Sequence, residues 1–280
     1  VKLSHNDLPS WNGEPLGDKR LIVLSEQGYG DTFQFCRYLP LVANIFGNVF
    51  FEVQDHSVKS AVDCFDGVSV LARGELLPPV DCRIPLLSLP RIFETNFDNI
   101  PFPQGYLRAN RANTEMWEKR LPPSDGNIKV GLVWGGRKTS LNANRSLLLS
   151  ELRPLFDIKG IHFISLQIGN DARQLAQYPG IVYDIHDQID TFSDTASIIT
   201  NLDLVITIDT AIAHLAGALG KRTWVMLKFA PDWRWFLARE DSPWYTSVRL
   251  FRQSSTGDWR PVVAAVADAL NNFRQTQKKY

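Results

Sequence analysis

Asp203-Leu-Val-Ile-Thr-Ile-Asp209-Thr210-Ala-Ile-Ala-His214-Leu-Ala-Gly-Ala-Leu-Gly220 is the stretch that decides the fold. Leu204, Val205, Ile206 and Ile208 form an apolar, partly β-branched run, the pattern of a buried strand. Small residues follow (Ala211, Ala213, Ala216, Gly217, Ala218), reading as a helix that Gly220 closes at C′. A strand running straight into a helix leaves unpaired amides and the positive end of the helix dipole at the sheet's carboxyl edge, where an anion can bind. Asp209 and Thr210 stand at that junction, and His214 follows one turn later on the Thr210 face. On spacing alone, Asp209 as an N-cap and His214 as a satisfied core residue is an equally good reading.

The chain extends this pattern in both directions. Toward the N-terminus, strands are expected at 20–25, 48–54, 68–72 and 80–89, with a helical pattern from Phe33 to about Phe46 that Pro40 should kink. Residues 96–127 carry Pro101, Pro103, Gly105, Pro122, Pro123 and Gly126 around a short helical piece at Trp117, and read as a connection. Beyond it, strands are expected at 129–134, 162–167, 182–185, 204–208, 223–227 and 248–251, with helices at 147–156, 191–202 and 259–274. The order is βαβα throughout, so the fold class is α/β: two Rossmann-like, doubly wound domains facing a cleft. The boundaries are 1–108, a linker at 109–127, and 128–280, with the last helix expected to pack back on the first domain.

Composition removes several function classes. A formal net charge of zero argues against nucleic acid as a partner. No apolar run is long enough to span a bilayer. Three cysteines, widely spaced and without a Cys-x-x-Cys, fit a reducing cytoplasm. No Asp-x-Asp and no His pair at ligand spacing occurs, so no metal site and no cofactor is expected.

Two loops carry chemistry. Gly28-Tyr29-Gly30-Asp31 follows the first strand but is no dinucleotide fingerprint, because Phe33 takes the third glycine's place and Asp31 would repel a pyrophosphate. Glycines should instead expose Asp31 as a base for a hydroxyl, unless it merely caps the helix. The second loop, Trp134-Gly-Gly-Arg137-Lys138, places two cations after a strand where they could neutralise a leaving diphosphate. Lys228 follows a strand expected at the same sheet edge.

Several motifs together resemble the GT-B glycosyltransferases of the heptosyltransferase type, family 9-like, and in particular the domain that follows tetratricopeptide repeats in many proteobacterial glycosyltransferases. They are Trp11–Leu16, Glu26–Pro40, Pro85–Pro90, Val130–Trp134, Asp209–Gly220, Phe229–Trp235, Asp241–Tyr245 and Arg249–Gln253. The resemblance implies a metal-independent, inverting transferase that moves a sugar from a nucleotide-sugar donor to an acceptor hydroxyl, on a protein such as flagellin. Its alternatives are heptose transfer to lipopolysaccharide core, and an inactive scaffold of the same fold. It implies Asp31 as catalytic base, with Gly28, Tyr29, Gly30 and Gln34 on the acceptor side. Asp209, Thr210, Ala211, His214, Trp134, Arg137, Lys138 and Lys228 would bind the donor. The implied partners are a nucleotide sugar, a protein or glycolipid acceptor, and an N-terminal repeat domain absent from this sequence.

Overall fold

The computed structural model describes residues 7–15, 17–137 and 144–277. Its two halves each contain one parallel sheet. The first joins β1 (Leu21–Leu24), β2 (Val49–Val53), β3 (Val68–Ala72) and β4 (Cys82–Pro85) in the order β3-β2-β1-β4. The second joins β5 (Ile128–Val133), β6 (Ile161–Ser165), β7 (Val182–Tyr183), β8 (Leu204–Ile208), β9 (Thr223–Leu227) and β10 (Val248–Arg252) in the order β10-β9-β8-β5-β6-β7. Every residue of β5, β8 and β9 is buried, as expected for strands covered on both faces. In each sheet the chain builds outward one way and then reverses, placing switch points between β1 and β4 and between β5 and β8. Crevices at strand carboxyl ends form at such points. The loops after β1, β5 and β8 are the ones the sequence marked for chemistry.

Local chemistry sets the helices that matter. α1 (Tyr29–Phe35) gives way to a 3-10 turn at Cys36–Tyr38 and then to α2 (Leu39–Ala43). The break comes ahead of Pro40, which opens α2, because a proline inside one continuous helix would clash with the carbonyl four residues back. The same division recurs at α4 (Leu89–Ile92), with Pro90 in its first turn after a 3-10 turn at Leu86–Ser88, and in 147–156, where a 3-10 turn at Leu149–Leu152 precedes α6 (Arg153–Phe156) with Pro154 in its first turn. α8 (Ala211–Ala218) ends as its sequence indicates: Gly220 takes φ +69°, and the Lys221 amide donates to the Ala216 carbonyl at 2.9 Å.

The halves share one apolar core. Buried residues of α1 and of α3 (His56–Val62) continue without a gap into those of α7 (Phe192–Thr200) and α8. Phe192 packs edge-on against Tyr29 and Phe33, at 5.2 and 4.9 Å between ring centres. The connection contributes α5 (Arg111–Arg120), whose Trp117 is fully buried and donates, with Asn113, to Asp194 of α7. Arg37 is fully buried at this seam. Its guanidinium donates to the carbonyls of Gln34 (2.8 Å) and Trp244 (2.9 Å), and lies over the rings of Tyr106 and Tyr245. α9 (Arg260–Gln277) packs on the second half, where Val262, Val263, Val266 and Leu270 bury its apolar stripe in that half's own core, beside α6 and β10.

Candidate functional site

The site is assembled at the seam, where the start of α1 meets the start of α8. Gly30 makes this approach possible. A Cβ there would stand 2.8 Å from Cδ2 of His214 and 3.6 Å from Cα of Ala211. Gly28 is the N-cap of α1, and its amide donates to Oδ2 of Asp31 at 2.8 Å. Asp31 therefore does cap its helix. It is not the exposed carboxylate that the glycine loop suggested: its side chain is 16% exposed, and its Oδ1 accepts from Nη2 of Arg234, 203 residues away. Two glycines lower steric bulk, but they cannot keep a carboxylate free when a guanidinium from the other half reaches it.

Arg234 lies in a short 3-10 turn, Trp233–Trp235, capped by Asp232. Its Nε donates to Oε1 of buried Gln34 at 2.7 Å and its Nη1 to Asp232 at 2.9 Å. Trp233 stacks beneath it at 4.6 Å. Gln34, expected on the acceptor side, thus orients Arg234, while its Nε2 has no protein partner among the described residues.

On the second half, Thr210 caps α8 by accepting from the Ile212 amide at 3.3 Å. Asp209 is half-buried beside it, and burial pushes its carboxyl up from the usual range. The Trp235 indole, which has no hydrogen-bond partner of ordinary geometry among the described residues, and the Arg145 cation pull the other way. His214 is buried, stacks on Trp235 at 5.1 Å and pairs through Nδ1 with the Tyr245 hydroxyl at 3.0 Å. Burial, helped by the positive charge of Arg234, drives its pKa down to about 3. It is a neutral imidazole with a hydroxyl partner.

The glycine turn after β5 is held by Gln167, whose Oε1 accepts from the amides of Trp134 (3.1 Å) and Gly135 (2.7 Å). Trp134 is fully buried and its indole N–H has no partner among the described residues. Arg137 is exposed and faces the first half closely enough to act on Tyr29, whose hydroxyl donates to Asp55 at 2.6 Å. Lys228 is half-buried directly after β9. Lys138 lies outside the described residues. Arg234, Asp232 and Tyr245, which the sequence marked only as parts of longer motifs, and Gln167, which it did not mark, also line the site. The available signal was Pro231-Asp-Trp-Arg-Trp235, a charged and aromatic run after a buried strand at the same sheet edge.

A hollow of about 770 Å³ lies elsewhere, between β6, β7 and residues 169–183, and is lined by His162, Arg173, Tyr178, Tyr183 and His186. It contains none of the candidate residues. Among the described residues no three His, Cys, Asp or Glu side chains gather as metal ligands, and no helix is long and apolar enough to cross a membrane.

His214 carries a pH prediction. A neutral histidine whose folded pKa is depressed binds fewer protons than the unfolded chain, so stability is present above pH 6.5 and is lost as pH falls toward 3. The loss should be on the order of 5 kcal/mol across that window. Asp209, raised in the fold, acts in the opposite sense above its ordinary value. Urea midpoints at pH 7 and pH 5 for the native chain and His214→Gln separate the two, because only the native chain should carry the histidine's share of the slope.

No family model matches the chain. Protein FlbA of Caulobacter vibrioides is 29% identical over 296 residues, covering 94% of this chain. The chain spans about half the length of that relative, 48%. Among solved structures, a family 9 glycosyl transferase from Veillonella parvula superposes with a TM-score of 0.68 at 10% identity, over 96% of this chain and 99% of that one. E. coli ADP-heptose lipopolysaccharide heptosyltransferase II does so with a TM-score of 0.60 at 11% identity, over 92% and 99%. The fold is GT-B. Identities this low carry the arrangement of elements and not the chemistry, since one fold hosts many activities.

Proposed function

We propose that this chain is a glycosyltransferase that moves a sugar from a nucleotide-sugar donor to an acceptor hydroxyl. One observation carries the reading: Asp31, at the switch point of the first sheet, is brought to the start of α8, where Asp209 and the amides after Thr210 stand at the switch point of the second. A base and an anion-binding helix start facing each other are what displacement of a diphosphate requires. The acceptor oxygen forms the new bond to the anomeric carbon and its proton passes to Asp31. The bond to the diphosphate breaks, and the diphosphate leaves with the electron pair. The amides of α8, with Arg137 and Lys138, would stabilise the departing charge without a metal. The GT-B neighbours, which include an ADP-heptose enzyme, support this use of the fold.

For the acceptor we favour a protein hydroxyl, on the motifs shared with repeat-bearing transferases. Heptose transfer to a glycolipid core is the second reading, supported by the same structural neighbours. Calorimetry with ADP, GDP, UDP, CDP and CMP tests the common part. The native chain should bind one of them, and Asp209→Ala should weaken that binding by about 1–3 kcal/mol, the cost of polar partners left unpaired. If nothing in the panel binds, the chain is a scaffold of this fold. Transfer should also survive EDTA; loss of activity restored by Mg²⁺ or Mn²⁺ would refute metal independence.

A further inference from the structure

Arg234 is over-committed in a particular way. Its side chain is 10% exposed, and its three donating nitrogens go to Gln34, Asp232 and Asp31. Two of these partners belong to α1 and one to its own loop. Gln34 and Asp232, with the Trp233 ring, would hold the guanidinium in place if Asp31 let go, so the third contact can be exchanged without stranding a buried cation. The charge also acts on Asp209 and His214, which belong to the same half as Arg234. Arg234 therefore stands between the proposed base and the proposed anion site. Both oxygens of Asp31 are meanwhile engaged, one by Gly28 and one by Arg234.

We propose that Arg234 masks Asp31, and that a nucleotide phosphate at the start of α8 takes the guanidinium over and so uncovers the base. This rests on the glycosyltransferase reading and adds an order to it: donor binding prepares the acceptor side. A planar fork of five N–H groups suits such an exchange, because phosphate and carboxylate fit it in the same way. It also changes what removing Asp31 should do to donor binding. Without its carboxylate, Arg234 no longer has to be released before it meets the phosphate.

The test is a double-mutant cycle on the full chain, read as calorimetric affinity for whichever of ADP, GDP, UDP, CDP or CMP binds the native protein most tightly. Asp31→Asn should tighten binding about threefold to tenfold, and Arg234→Met should weaken it about tenfold or more. In the Arg234→Met background, Asp31→Asn should change nothing. If Arg234→Met does not fold, Arg234→Lys takes its place, since an ammonium lacks the planar fork that serves Gln34, Asp232 and a third acceptor at fixed angles. Equal effects of Asp31→Asn in both backgrounds, or no tightening at all, overturn the exchange while leaving the glycosyltransferase reading intact. If no nucleotide binds the native chain, both fall.

Discussion

Asp31→Asn is expected to lower sugar transfer by roughly a hundredfold or more, the usual contribution of a positioned general base. The substitution keeps shape and the hydrogen bond from the Gly28 amide, so α1 should remain capped. What it removes is the capacity to take a proton from the acceptor. Single-turnover transfer beside calorimetric nucleotide affinity is the measurement that matters, because the two should move in opposite directions: slower transfer with donor binding no weaker. Read from sequence alone, Asp31→Asn should leave donor affinity nearly unchanged; the ion pair to Arg234 is the reason to expect tightening instead. Should the variant transfer at the native rate, Asp31 is only a helix cap and a latch for Arg234, and the base must be sought elsewhere.

The second large effect concerns the halves themselves. Two domains facing a cleft suggest that residues 127–280 would bind a nucleotide unaided. The shared core argues that this fragment will not fold. Separation would strip the first half from Ala213, Leu215, Ile198, Trp235 and Tyr245, all buried in a core continuous with Phe33, Phe35 and Val58. It would also leave Asp194 without Trp117 and Asn113, and Arg234 without Asp31 and Gln34. Each large apolar side chain returned to water costs about 1.5–3 kcal/mol, and a few of these consume the whole stability of a domain. The expected result is aggregation of 127–280 expressed alone, and recovery of soluble protein when 1–126 is supplied in the same cell. A soluble fragment with a sharp thermal transition would show that the seam is an ordinary domain interface.

The sequence by itself determined the repeating units. β3, β8 and β9 lie where apolar, β-branched runs placed them, and the other strands agree within a few residues at their ends. Buried parallel strands must be apolar throughout, and that constraint is local enough to read. The α8 start, the Thr210 cap and the Gly220 stop were legible for the same reason: each is set by residues within one turn. The break before Pro40 was legible in kind but not in place, since proline forbids one continuous helix without saying which residue yields.

Only the tertiary structure decided which partners the candidate site residues have. Asp31 and Arg234 are separated by 203 residues, and no periodicity relates a carboxylate to a guanidinium that far along the chain. The Tyr245 hydroxyl and the Trp235 ring that enclose His214 come from later segments, which no spacing within α8 specifies. The side on which α9 packs was equally open, because its apolar stripe specifies that a face is buried and not against what. Charge pairing and burial depend on which surfaces the folded chain brings together, and those partners are contributed by elements that local sequence cannot identify.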